Sequence, residues 1–242
     1  MRLYTGTSGF SYPAWVGSFY PEDLPEDRWL HHYAGKLRAV EINNSFYRVP
    51  RSSVIESWRD AVDDDFRIVL KASRRVTHFA RLKETADEAM HWVWRAAQKL
   101  DSKRGPLLFQ LPPNMMADVE RLDAFLGRQP DELRAAFEFR HPSWLEPGAA
   151  DEVRAVLTAR GAALCIADDG KSDVEPNLAP TAPFAYLRLR RPEYDDVVLE
   201  GWAAALAQAE LDEAFVFFKH EDAGAGPALA ARFAALVAER SA

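Results

Sequence analysis

The sequence has a single cysteine, Cys165, which excludes an internal disulfide, a zinc site built from several thiolates and a cysteine-ligated cluster. No apolar run approaches the ~20 residues a helix needs to cross a bilayer, so no membrane association is expected. The opening MRLYTGTSGF lacks the apolar stretch and small-residue cleavage site of an export signal, and a cytoplasmic location is the expectation. Positive charge is in deficit. Lysine and arginine number 30 against 37 acids, and the resulting net charge of -7 opposes broad attraction to nucleic acid or to an anionic membrane. Any polyanion would need a locally basic site. Gly6 and Gly9 do not make a dinucleotide fingerprint, and neither a Walker sequence nor an HExxH pair is present. No repeat, low-complexity tract or linker divides the 242 residues, which read as one domain over 1–242.

What is present is an alternation. Short runs rich in β-branched, leucine and aromatic residues fall at Arg2 to Thr7, Ala39 to Asn43, Phe66 to Lys71, Pro106 to Leu111, Ala135 to Arg140, Ala162 to Asp168, Phe184 to Arg188 and Ala214 to Lys219. Between them lie stretches with helical spacing. One is started by Pro25 and ended by Gly35, and others cover Asp118 to Leu126, Ala150 to Ala159, Leu199 to Ala209 and Pro227 to Glu239. Ser53 with Glu56 and Thr85 with Glu88 fit the capping box. Eight strands alternating with helices specify an α/β fold, a TIM-type parallel barrel. After the sixth run, Asp168 to Pro183 has little apolar periodicity and several prolines, so a long loop is expected there in place of a helix.

Polar residues collect at the strand ends. By period-two parity, Glu41 and Asn43 share the interior side of the second strand, and Glu138 and Arg140 that of the fifth. Lys71, Gln110, Asp168, Arg188 and Lys219 end the third, fourth, sixth, seventh and eighth. The carboxyl ends of barrel strands are where enzymes on this fold build sites, although carboxylates and cations in such a set also satisfy one another as a plain salt-bridge network. Cys165 has the opposite parity to Asp168, which directs it towards the helices as an inert thiol. Phe10, Tyr12, Trp15, Phe46, Tyr47 and Trp144 follow strand ends and offer rings that stack a base or sugar, or that simply pack the loops.

Several motifs are familiar in sequence order: GTSGFSYPAWVGSFYP from Gly6, EINNSFYRVP from Glu41, FRIVLKA from Phe66, LLFQLPPN from Leu107 and EFRHPSW from Glu138. Together they resemble the YecE-like family, domain of unknown function 72. The resemblance implies a β/α barrel and no established activity. It covers roughly the first two-thirds of the chain. Beyond that, Arg188 is followed by Leu189-Arg190-Arg191 where a His-Gly pair is usual, and Phe218-Lys219-His220 stands in place of Phe-Asn-Asn.

Several chemistries fit the strand ends unequally. A glycosidase would use Glu41 and Glu138 as its acid pair, with Lys71 and Arg140 competing for them. A Schiff-base lysine, Lys71 or Lys219, would have its pKa raised by the carboxylates around it. A metal on Glu41, Glu138, Asp168 and His141 is disfavoured by the neighbouring cations, so no metal or other cofactor is expected. The count of Glu41, Glu138 and Asp168 against Lys71, Arg140, Arg188 and Lys219 favours an anionic ligand. The leading expectation is a metal-independent enzyme on a small phosphate- or carboxylate-bearing substrate. Glu41 or Glu138 would be its acid-base group, with His141 as the alternative. Asn43, Tyr47, Lys71, Gln110, Arg140, Trp144, Asp168, Arg188 and Lys219 would be its binding residues. The alternative is a non-catalytic module for a nucleotide or short nucleic-acid segment, served by the aromatics and by Arg74, Arg75, His78 and Arg81.

Overall fold

A computed structural model describes residues 1–170, 176 and 178–241. Its strands are β1 (Arg2–Ser8), β2 (Ala39–Ile42), β3 (Arg67–Lys71), β4 (Arg104–Gln110), β5 (Ala135–Glu138), β6 (Ala163–Asp168), β7 (Phe184–Leu189) and β8 (Glu213–Phe218). They pair in chain order, all parallel, and β8 closes on β1. The helices are α1 (Trp29–Ala34), α2 (Ser52–Asp60), α3 (Asp87–Gln98), α4 (Val119–Gly127), α5 (Ala149–Ala159), α6 (Asp196–Gln208) and α7 (Ala225–Ser241). Every expected strand is present within a residue or two of its expected ends. Among the described residues no helix lies between β6 and β7; residues 171–175 and 177 of the expected long loop lie outside the described residues.

Two capping expectations are corrected. The helix containing Ser53 starts one residue earlier, at Ser52 behind an extended Arg51, so Ser53 lies inside the first turn and no side chain caps it. Glu56 pairs instead with Lys99 at 2.8 Å. Thr85 lies within a 3₁₀ turn (Glu84–Ala86) that runs straight into α3, again with no side-chain cap. Caps do form on α4 and α6, where Asp118 accepts from the Arg121 amide and Asp195 from the Val198 amide, both at 2.9 Å.

Two apolar layers result. Between strands and helices lies the larger, with Phe109, Phe125, Phe137, Trp202 and Phe233 fully buried, each contributing on the order of 2–3 kcal/mol by burial. Inside the barrel, Tyr4, Val69, Leu108, Phe184, Tyr186, Phe215 and Phe217 fill the core. Glu213 closes its amino-terminal end, paired with Arg2 and Arg134, and the Arg134 guanidinium lies over the Phe184 and Phe215 rings. The interior is thus aromatic towards its amino-terminal end, and charge enters at the carboxyl ends. Gly6 allows that packing: a Cβ there would stand 1.7 Å from the Ala39 carbonyl oxygen.

Candidate functional site

The interior positions of β1, β2, β3, β4, β5 and β7 converge at the carboxyl ends on one buried polar cluster. Arg188 is its centre. Its Nε donates to Glu41 Oε2 at 3.0 Å, its Nη2 to Glu41 Oε1 at 2.8 Å and its Nη1 to Glu138 Oε2 at 2.6 Å. Glu41, with no exposed surface, also accepts from the Ser8 and Tyr186 hydroxyls at 2.7 Å and from Asn43 Nδ2 at 3.3 Å. These donors use its lone pairs fully. Burial pushes the Glu41 carboxyl up, but the Arg188 charge, with the Arg188, Tyr186 and Ser8 hydrogen bonds, holds it below its ordinary value. Glu138 receives Gln110 Nε2 on both oxygens, at 2.9 and 3.0 Å, and Arg190 Nη2 at 3.2 Å, while Arg140 Nε stands 3.9 Å away. Its pKa is lowered in the same way, burial being overcome by Arg188 and Arg190.

Lys71 differs from the other cations. Its Nζ donates to Gln110 Oε1 at 2.9 Å and lies 4.3 Å from the Phe46 ring centre. Its backbone is clamped to the end of β2 by Ser45, whose oxygen accepts from the Lys71 amide at 3.1 Å and whose hydroxyl donates to the Lys71 carbonyl at 2.8 Å. Burial, then the Arg188 charge, lower the ammonium pKa to about 8 against the opposing pull of Glu41 and Glu138, with Arg140 adding to the lowering. Glu41 and Glu138 do pull it upward, as expected, but burial and then the Arg188 charge outweigh them. His78, edge-on to Phe46, is also lowered, by burial and then by Lys71, Arg140 and Arg81.

Beside the cluster a cleft opens. β5 and β6 pair only at Ala136 with Ala163 and Phe137 with Leu164, whereas β6 stays paired to β7 as far as Asp168 with Leu189. The diverging strands leave a cavity of about 740 Å³ with Glu138, Arg140, His141, Glu146, Asp169 and Arg190 on its polar wall and Leu145, Leu164 and Ile166 on its apolar wall. His141 Nδ1 is bonded to the Ser143 hydroxyl at 2.8 Å. Arg190 Nε is buried with no hydrogen-bond partner.

Glu41, Asn43, Lys71, Gln110, Glu138 and Arg188 are therefore brought together, with Arg140 and His141 at the cleft and Tyr47, 67% exposed, beyond β2. Four expectations are corrected. Asp168 faces the helix layer: both its oxygens accept from Arg191 Nε at 2.7 Å, and Trp202 Nε1 on α6 and the Tyr194 hydroxyl lie at 3.3 Å. Cys165 accordingly points into the barrel among Tyr4, Val69 and Tyr186. Trp144 has no exposed surface, stacks on Phe139 and donates to the Met115 carbonyl at 2.7 Å, so it packs loops and presents no face to a ligand. Lys219 lies past the end of β8, half exposed and 3.7 Å from Glu221. Trp15 is likewise buried, donating to the Glu221 carbonyl. Sequence reasoning missed Ser8, Tyr186 and Arg190. Arg190 was within reach, because period two carried one step past Arg188 puts it on the same face.

These features define a TIM-type β/α barrel whose carboxyl-terminal mouth is plugged by a shared ion-pair cluster beside an open cleft of mixed charge. The chain belongs to the DUF72 family, described as a protein of unknown function, whose model matches residues 4–242. It is 28% identical over 151 residues to the UPF0759 protein YecE of Escherichia coli, covering 62% of this chain and 53% of that protein. It is 25% identical over 167 residues to the UPF0759 protein YunF of Bacillus subtilis, covering 66% and 58% respectively. The chain thus spans little more than half the length of these curated relatives. Among solved structures, a DUF72 family protein of Thermotoga maritima superposes with a TM-score of 0.83 at 25% identity, over 98% of this chain and all of that one. Another, from Enterococcus faecalis, gives a TM-score of 0.82 at 18% identity over 98% and 96%, a likeness of fold. The family motifs fall on the cluster and its supports: Ser8, Glu41, Ser45, Lys71, Gln110 and Glu138 all lie within them.

Proposed function

We propose that this chain is an enzyme acting, without a metal, on a small phosphate- or carboxylate-bearing substrate held in the cleft between β5 and β6. The observation that supports this reading is the pair of guanidiniums, Arg140 and Arg190, on the wall of the cleft. Lys71, Arg140, Arg188 and Arg190 face Glu41 and Glu138, and Arg188 alone engages both carboxylates. Arg140, exposed and 3.9 Å from Glu138, and Arg190 both line the cleft, on a wall that also carries Glu146 and Asp169. Two guanidiniums at the lip of a cavity suit bidentate capture of a phosphate or carboxylate, and the apolar wall suits the rest of a metabolite-sized molecule. Glu41 and Glu138 serve in this reading to fix Arg188 and Arg190, because an acid-base group needs a free proton site and theirs are taken. Among the described residues no three His, Cys, Asp or Glu side chains are placed to hold a metal ion.

Calorimetric titration with inorganic phosphate tests the reading. Arg140→Met combined with Arg190→Met should weaken binding by at least ~10-fold, about 1.4 kcal/mol, with the circular dichroism spectrum unchanged. Equal affinity in the double variant would overturn it. A second reading, nucleotide binding without turnover, draws on Arg74, whose guanidinium lies 5.7 Å from the Tyr47 ring centre and 5.4 Å from that of Phe79, both exposed. A screen of phosphorylated metabolites that finds ligands but no product would favour it.

A further inference from the structure

We propose that Lys71 is the nucleophile of this site, its Nζ forming an imine with the carbonyl carbon of an aldehyde or ketone that also bears phosphate or carboxylate. The proposal rests on the anion-binding reading above for the charged portion of the substrate and adds the chemical class of the reacting portion.

Geometry singles out this amine. Lys71 ends β3 on the barrel interior and is 9% exposed, so its Nζ is sheltered at the mouth. Its hydrogen-bond acceptor is the neutral Gln110 amide oxygen, and among the described residues no carboxylate lies within ion-pair distance of it. Gln110 in turn is held by both oxygens of Glu138, which lines the cleft, so the amine is two hydrogen bonds from the cavity wall. The charged groups around it are Glu41 on β2, Glu138 and Arg140 on β5, and Arg188 on β7, with His78 across the Phe46 ring. Arg188 answers both acids, so the surroundings oppose a second buried cation. A lysine used only to hold an anion gains nothing from such surroundings, whereas an amine that must be uncharged to react does.

The step balances without a further reactant. The nitrogen lone pair adds to the carbonyl carbon while a proton passes from nitrogen to the carbonyl oxygen. The C–O bond then breaks, the oxygen leaves as water with a second proton from nitrogen, and the C=N bond closes. Ammonium and carbonyl give iminium and water, with the charge conserved. At pH 7 a lysine of pKa about 8 has roughly 300 times more free amine than one at 10.5.

The test uses the full chain, glycolaldehyde phosphate as probe, borohydride to trap the imine and peptide mass spectrometry to locate it. The six other lysines of the sequence provide internal controls. Lys71 should carry the adduct at pH 7 at least ~10-fold ahead of any other lysine, and inorganic phosphate should slow its labelling. Lys71→Arg, which keeps the cation but cannot form the imine, should retain its circular dichroism spectrum and lose the dominant adduct. Adducts spread over exposed lysines, or the same yield in Lys71→Arg, overturn the proposal; if phosphate still binds, the anion reading stands without it. Selective labelling of Lys71 with no phosphate binding and no slowing by phosphate supports the nucleophile and overturns the anion reading instead.

Discussion

Replacing Arg188 by methionine removes the cation shared by both interior carboxylates and keeps most of the side chain's apolar length. Three charge-assisted hydrogen bonds disappear. Glu138 keeps Gln110 and Arg190, but Glu41 keeps only the neutral donors Ser8, Asn43 and Tyr186 and has no exposed surface. Burial, the effect that Arg188 overcomes, then raises the Glu41 pKa above its unfolded value, and the group folds protonated. Taking up that proton at pH 7 from an unfolded pKa near 4.3 costs about 3.7 kcal/mol, close to the roughly 3–5 kcal/mol typical of breaking one side of a buried ion pair. For 242 residues this corresponds to a fall in Tm on the order of 10 °C. In the native protein both carboxyls have lowered folded-state pKa values, so the stability they contribute is present above the unfolded pKa and lost as pH falls through the folded one. In the variant Glu41 has the opposite sign and gains stability on acidification. The deficit of the variant should therefore narrow from about 3.7 kcal/mol at pH 7 to about 1 kcal/mol at pH 5. Urea unfolding followed by tryptophan fluorescence at both pH values measures it. A deficit below about 1 kcal/mol at pH 7, or one that is the same at pH 5, would refute the shared-cation account.

Two further expectations separate the rest of the polar set from the site. Asp168→Asn should cost about 1–3 kcal/mol in urea unfolding, through the lost charge against Arg191 and the altered partner for Trp202, and leave phosphate affinity unchanged; weakened binding would return Asp168 to the mouth. The Cys165 thiol, raised well above its ordinary pKa by burial and then by the Glu138 charge, should react with an aromatic disulfide reagent at least ~100-fold slower in the native protein than in urea; comparable rates would show that the barrel interior is open at β6.

Much of the barrel was legible because each strand alternates with a helix and carries an apolar run of the right length, and the inward Glu41, Lys71, Gln110, Glu138 and Arg188 followed from parity at strand ends. What parity cannot show is which partner a buried ion chooses. Glu41 and Glu138 lie on different strands, and that one guanidinium from β7 answers both depends on the curvature of the closed sheet. Likewise, the unbroken pairing of β4 with β5 up to Gln110 and Glu138 gives no hint that the pairing of β5 with β6 stops at Phe137 and Leu164 and opens the cleft.

Strand β6 shows where polarity fails as a guide and size takes over. From Ala162 to Ala167 every residue is apolar, so alternation of polarity sets no phase, and a terminal aspartate invites an inward assignment. The barrel interior opposite β6 is already filled by Phe184, Tyr186, Phe215 and Phe217, which leaves room for Ala163 and Cys165 and sends the larger Leu164 and Ile166 outward. Asp168 then goes outward with them and finds Arg191 and Trp202 in place of the mouth. The alternation of small and large side chains was in the sequence and carried the phase. Its effect on function is one of degree: with Asp168 and Lys219 removed and Arg190 added, two carboxylates face four cations where three had faced four. Correcting the strand leaves more cations than carboxylates at the interior strand ends, and Glu146 and Asp169 on the lining of the cleft offset that excess.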